Sequence, residues 1–196
     1  MKKYLSLIIF AILGITLTGC GNKSTNSTND QNTDEKQEGT RWLYQEEKDD
    51  LTGNVISLHA TLFSNDYKEI DHNNNTGRMA ILLTYKPDIW GKKLETTVMF
   101  GFTEDNGQCR LADSGSSGIL AVFDDGDVDE TWSLIYMSKD KKALYINSSY
   151  SGPEKVKAFI NKLKASKQCK IQVRLNEVGN TTFTFNTAGL KWDFDN

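Results

Sequence analysis

Apolar and polar residues alternate along most of the chain from Arg41 onward, with the period of two expected of strands that bury one face. Trp42 and Tyr44 mark a first short strand, and Asp49-Asp50-Leu51-Thr52-Gly53-Asn54 has the composition of a turn. Ile56, Leu58, Ala60 and Leu62 then alternate with Ser57, His59 and Thr61, which predicts a half-buried strand with His59 facing outward. Ser64 to Gly77 reads as a polar loop. Met79 to Lys86 is apolar on both parities, as a central strand is. Leu94, Thr96, Val98, Phe100 and Phe102 share one parity, and Asp105-Asn106-Gly107 predicts a hairpin from which Gln108 to Ala112 returns.

Ser114 to Gly118 reads as another loop, Ile119 to Phe123 as a short strand, and Asp124 to Glu130 as an acidic turn. Thr131 to Met137 alternates through Trp132, Leu134 and Tyr136, and Ala143 to Ile146 is short and apolar. One helix is expected. Pro153 suits its first position, and Val156, Phe159, Ile160 and Leu163 fall at i, i+3, i+4 and i+7. Lys155, Lys157, Lys162 and Lys164 lie off that stripe and read as its solvated side. Cys169, Ile171, Val173 and Leu175 alternate next, followed by a turn at Glu177 to Asn180, by Phe183 and Phe185, and by a closing Gly189-Leu190-Lys191-Trp192. Short strands with polar turns and one late helix predict a mainly β chain. The fold expected is an antiparallel β-sandwich with a helix in its C-terminal half, capping an end or edge. The alternative is a small closed β-barrel.

The stretch ahead of Arg41 has a different character. Lys2 and Lys3 precede an apolar run from Leu5 to Leu17, the layout of an export signal, and the run is too short to span a membrane. Leu17-Thr18-Gly19-Cys20 resembles the bacterial lipoprotein lipobox, a leucine and two small residues ahead of cysteine. The resemblance implies that residues 1–19 are a cleaved signal peptide and that Cys20 carries a diacylglycerol thioether. It implies an address in the cell envelope, the outer membrane if the host has one, since the residue after Cys20 is Gly21 and not aspartate. Residues 21–40 carry no large apolar side chain and are expected to form a disordered tether of about 25 Å, leading to one β-rich domain over 41–196.

The formal charge of −3 falls to −5 once Lys2 and Lys3 are removed, because residues 1–19 contain no acid. That argues against a nucleic-acid partner, which needs a basic face, and against general attraction to anionic lipid. With Cys20 assigned to lipid, Cys109 and Cys169 remain. They are either a disulfide, as export permits, or two buried free thiols.

Candidate chemistry is thin. Asp125, Asp127 and Asp129 alternate in the acidic turn beside Asp124 and Glu130, a weak calcium candidate. The helix-loop-helix calcium motif is absent, because its sixth and twelfth positions are Glu130 and Tyr136. A solvated turn fits better, and neutralising these acids is expected to leave stability unchanged or raise it slightly. His59 and His72 are the two histidines, and neither has a second histidine or a cysteine nearby in sequence. No nucleophile elbow, zinc signature or cofactor motif occurs, so no cofactor and no catalytic residue is assigned. Trp42, Trp132 and Trp192 fit core packing, whereas Trp90, beside Asp88 and Gly91, is the candidate for stacking a ligand.

Beyond residue 40 the chain is similar to a loose set of exported bacterial domains and, more distantly, to type VI secretion accessory proteins. The motifs are Trp42, the turn Asp49–Gly53, Ala60–Asn65, Val122–Gly126, the helix segment Phe159–Lys164 and the closing Phe183–Trp192. All are packing or turn motifs, so the resemblance implies a fold and lends no catalytic residue. The function expected is a membrane-anchored, non-catalytic binding or assembly module with an envelope protein as partner. The alternative is an envelope enzyme or small-ligand-binding protein.

Overall fold

The computed structural model describes residues 41–87, 94–103, 109–112, 118–132, 136–147 and 151–194. The lipobox, Cys20, the tether, Trp90, the Asp105–Gly107 turn and Leu134 lie outside them. In chain order the elements are β1 (Leu43–Lys48), β2 (Val55–Phe63), β3 (Lys68–Glu69), β4 (Thr76–Pro87), β5 (Leu94–Thr103), β6 (Leu120–Phe123), β7 (Tyr136–Met137), β8 (Ala143–Asn147), α1 (Pro153–Ala165), β9 (Gln168–Leu175) and β10 (Gly179–Asn186).

Among the described residues the strands form two antiparallel sheets and no closed barrel. The larger runs β1-β2-β4-β5-β8-β7, with β3 paired to β4, and the smaller runs β10-β9-β6. β4 is central, as its apolar character on both parities predicts, and pairs with both β2 and β5. Its inward Met79, Ile81 and Leu83 are fully buried, and Ala80 and Thr84 on its other face are nearly so. The inner faces of both sheets meet in one core, which draws Leu62, Phe100 and Ile146 from the larger sheet and Ile171, Val173 and Phe183 from the smaller.

α1 starts at Pro153 and buries Val156, Phe159, Ile160 and Leu163, the stripe read from the sequence. Phe159 meets Phe100 of β5, Phe123 of β6 and Trp132 edge-to-face, so the helix packs beside β6, the edge strand of the smaller sheet, and against β5 of the larger one. The reason is volume: four large apolar side chains on one stripe need a sheet face to cover them.

Three local expectations change. Of the expected return strand Gln108 to Ala112, the described residues 109–112 do not pair with β5. Instead Leu111 bridges Leu175 of β9, and β8 takes the place beside β5. The polar loop 64–77 contains β3, and Ile70 is buried beneath it. Trp132 is not on a strand but ends a 3-10 turn at Glu130–Trp132. Asp129 starts that turn by accepting the Thr131 N–H at 3.0 Å, and Trp132 drops into the core. The closing segment runs extended without a ladder. Trp192 is buried, and Phe194 stacks on Tyr85 at 5.0 Å. Lys191 N–H donates to the Tyr44 hydroxyl at 2.8 Å, and the Thr96 hydroxyl donates to the Phe194 carbonyl.

Candidate functional site

The β1–β2 hairpin leaves the core and extends into solvent. Every residue of β1 is exposed, and exposure grows along β2 away from the core, from buried Leu62 and Ala60 through Leu58 to Ile56 at 42%. Its turn is built by Asp49, whose Oδ1 accepts the Leu51 and Thr52 N–H groups and the Thr52 hydroxyl. These bonds, the Thr52 hydroxyl foremost, hold the Asp49 carboxyl below its usual range. Gly53 closes the turn at φ 69°, a left-handed value that a side chain would strain. The turn lifts Leu51 to 95% exposure, and Leu43, Tyr44, Val55 and Ile56 are also open. Five of the nine large apolar side chains exposed among the described residues are therefore on this arm. Its free edge is blunted against strand addition by the charges in Gln45-Glu46-Glu47-Lys48 and by a bulge between Glu47 and Lys48.

His59 lies on the outer face of β2, as expected, but it is not open to solvent on all sides. Its Nε2 is 2.8 Å from the Ser57 hydroxyl and its Nδ1 3.2 Å from the Thr84 hydroxyl. Ser57 donates its own proton to Glu47 at 2.6 Å. Ser57 must then accept from Nε2–H. Burial lowers the His59 pKa from 6.5, so at neutral pH the ring is neutral and its Nδ1 accepts from the Thr84 hydroxyl. This is not a nucleophile–base–acid arrangement. The carboxylate takes the serine proton itself, and it does not orient the far ring nitrogen. His72 is elsewhere, in the loop after β3, with its backbone N–H on Glu177 at 3.0 Å.

The acids of the acidic turn sit in different surroundings. Asp125 and Asp127 are exposed, while Asp129 is committed to Lys162 of α1 at 2.9 Å and to Thr131. Burial would raise the Asp129 pKa most, but the hydrogen bonds from Thr131 and Lys162 together outweigh it and hold the carboxyl at about 2. Neutralising all three acids is therefore not harmless, because Asp129 ties the turn to the helix. Asp124, beside the set, adopts φ 51° and accepts the Lys167 and Gln168 N–H groups at 2.8 and 3.0 Å. Among the described residues no three His, Cys, Asp or Glu side chains sit together as a metal set.

Cys109 and Cys169 are buried and are not joined in a disulfide. Register gives the reason. Leu111 bridges Leu175 at the far end of β9, six residues from Cys169, or about 20 Å at strand rise. A disulfide needs Cα atoms within about 7 Å. Burial, with Asp124 adding, pushes the Cys169 thiol up. Trp42, Trp132 and Trp192 are core residues, at 4%, 1% and 2% exposure.

One polar pocket was not anticipated. Arg110, Leu111, Lys139, Asp140, Lys141 and Asn176 line an open cavity of about 310 Å³. Three separate stretches meet there, and backbone bonds lock them together. Leu111 N–H donates to the Lys141 carbonyl at 2.8 Å, and Asn176 N–H to the Arg110 carbonyl at 2.9 Å. Nothing in the sequence marks it, because its members are 66 positions apart at the extremes, from Arg110 to Asn176. The comparisons with family models, with curated proteins and with solved structures find no match to this chain.

Proposed function

We propose that the protein is a lipid-anchored, non-catalytic binding module of the cell envelope, and that it holds a protein partner through the β1–β2 hairpin. The observation that carries this reading is the concentration of exposed apolar side chains on that one arm. The lipobox-like Leu17-Thr18-Gly19-Cys20 supports the anchor, and the polar stretch 21–40 leads directly into β1. An arm next to a tether meets a membrane-bound partner at raised effective concentration, so weak contacts suffice. The blunted edge of β1 makes the side chains of the hairpin, and not its backbone, the contacting groups. Ser57 and His59 support the same reading, since their bonds to Glu47 and Thr84 are those of a structural polar cluster.

The test is co-purification from solubilised membranes, comparing the native chain with Leu51→Asp and Ile56→Asp. Both sites are exposed, so neither change should shift the melting temperature by more than a few degrees. A stoichiometric partner captured by the native chain and lost with either substitution is the expected result. A partner retained by both variants would overturn the assignment of the hairpin.

A further inference from the structure

β10 is an outer strand of the smaller sheet, and its far side is not blunted as the edge of β1 is. Gly179–Asn186 carries no charge and no proline, and its register with β9 runs without a bulge. The direction of its backbone groups follows from Thr184. The Thr184 N–H donates to Asp66 Oδ1 at 3.2 Å and its carbonyl accepts the Asn65 N–H at 2.7 Å, so both groups point away from β9. Direction alternates along an antiparallel strand. Thr182 and Asn180 therefore also turn their N–H and C=O outward, whereas Thr181 and Phe183 bond to β9.

Unlike Thr184, these two positions have no outward backbone partner among the described residues. Asn180 is exposed and Thr182 half-buried. The open stretch is bounded by Asn65 and Asp66 at one end and by the turn before Gly179 at the other. Edge strands are ordinarily shielded by charge, proline, a bulge or a covering segment, and here the cover stops at Thr184.

The side chains beside this edge select what pairs with it. Arg174 lies directly opposite Asn180, and Lys170 opposite Thr184. These are the pairs without mutual backbone bonds, in which side chains approach most closely. Both cations are exposed, on the face of β9 opposite to buried Ile171 and Val173, and no acid among the described residues pairs with either. Gln172 between them donates from Nε2 to the Thr182 hydroxyl at 3.2 Å. A strand added to β10 would lie about 10 Å from β9, two strand spacings away. Arginine and lysine stems are long enough to meet a carboxylate reaching back from there.

We infer that the Asn180–Thr182 edge takes up an extended, acidic segment of a partner protein as an added strand, with its carboxylates on the face of Lys170 and Arg174. The backbone ladder supplies the contact and the two cations supply the choice of partner. A second copy of this chain fits less well, because β10 paired with its twin sets both copies of Lys170 and Arg174 on one face without an acid between them. The inference does not depend on the role of the β1–β2 hairpin.

NMR titration of the purified full chain tests it, with a peptide of alternating valine and glutamate, as long as β10, as the probe. The same peptide with lysine for glutamate controls for charge, and a fully N-methylated one controls for the ladder. At saturating peptide the Asn180 and Thr182 amides are expected to exchange with solvent at least tenfold more slowly. Thr182→Pro removes an outward donor and no bond to β9, a change that edge positions tolerate, and it should weaken binding at least tenfold. Lys170→Glu combined with Arg174→Glu, both at exposed sites, should do the same even if the proline variant does not fold. Unchanged exchange at Asn180 and Thr182, equal binding of either control peptide, or dimerisation of the chain through these two amides would overturn the proposal.

Discussion

His59 has its ring between two hydroxyl groups, and that makes its protonation state a stability question. Burial lowers its pKa from 6.5, Glu47 on β1 opposes this, and Lys86 on β4 adds to it. The unfolded chain therefore binds a proton more readily than the folded one between pH 6.5 and the lower folded pKa. Stability rises with pH through that window and falls as the solution is acidified through it. His59→Gln is expected to flatten the dependence of melting temperature on pH just below 6.5, and an unchanged slope would show that another group causes it. Asp129 behaves in the same sense, in a more acidic window. Its carboxyl is held at about 2 against 3.8, so its contribution is complete above pH 3.8 and is lost as pH falls toward 2. Asp129→Asn should cost about 1 kcal/mol at pH 7 by denaturant unfolding, with nearly no cost near pH 2. Asp125→Asn and Asp127→Asn should each stay within about 0.5 kcal/mol of the native value, as exposed substitutions do. These acids alternate identically in sequence, and the positions of Thr131 and Lys162 separate Asp129 from the exposed Asp125 and Asp127.

At the scale of elements, α1 is held by its fit to its neighbours more than by its caps. Gly152 at the N-cap makes no side-chain capping bond, so the helix depends on its buried stripe. Phe159 is the centre of that contact, edge-to-face with Phe100, Phe123 and Trp132 at 4.9 to 5.7 Å. Phe159→Ala should destabilise the domain by about 3 to 5 kcal/mol through lost burial and the cavity left behind. A loss under about 1 kcal/mol would mean that the helix packs loosely. The helix stripe, the half-buried β2, the two-sided β4 and the β9–β10 hairpin were all legible in the sequence, because each follows from local periodicity. Of the alternating stretch Thr131 to Met137, Tyr136–Met137 is a strand, whereas the Trp132 end is not. Its alternation matched one, but an aspartate two residues before a threonine can close a tight turn instead, and Asp129 with Thr131 does so.

For the whole molecule, the proposed anchor and arm act together. Cys20→Ser should move the protein from the detergent phase to the aqueous phase or leave its precursor uncut, whereas lipid labelling of the variant would remove the basis of the anchor. Shortening residues 21–40 should reduce partner capture at membranes without altering the melting temperature of the domain, because that stretch supplies no apolar side chain to a core. The mainly β class, the late helix, the inward and outward parity of β2, β5 and β9, the two-sided apolar character of β4, and the core role of three tryptophans follow from the sequence by itself. Parity and turn chemistry are local properties, readable within a few residues. Strand partners are not. The placement of β8 beside β5, the crossing of Leu111 to β9 and the consequent separation of Cys109 from Cys169 were decided only in the tertiary structure. So were the bonding of His59 between Ser57 and Thr84 and the meeting of Arg110, Lys139, Lys141 and Asn176 around one pocket. The physical reason is common to all of them: the free energy that selects a strand's neighbour is shared among side chains distant in sequence, and no short stretch of the chain carries it alone.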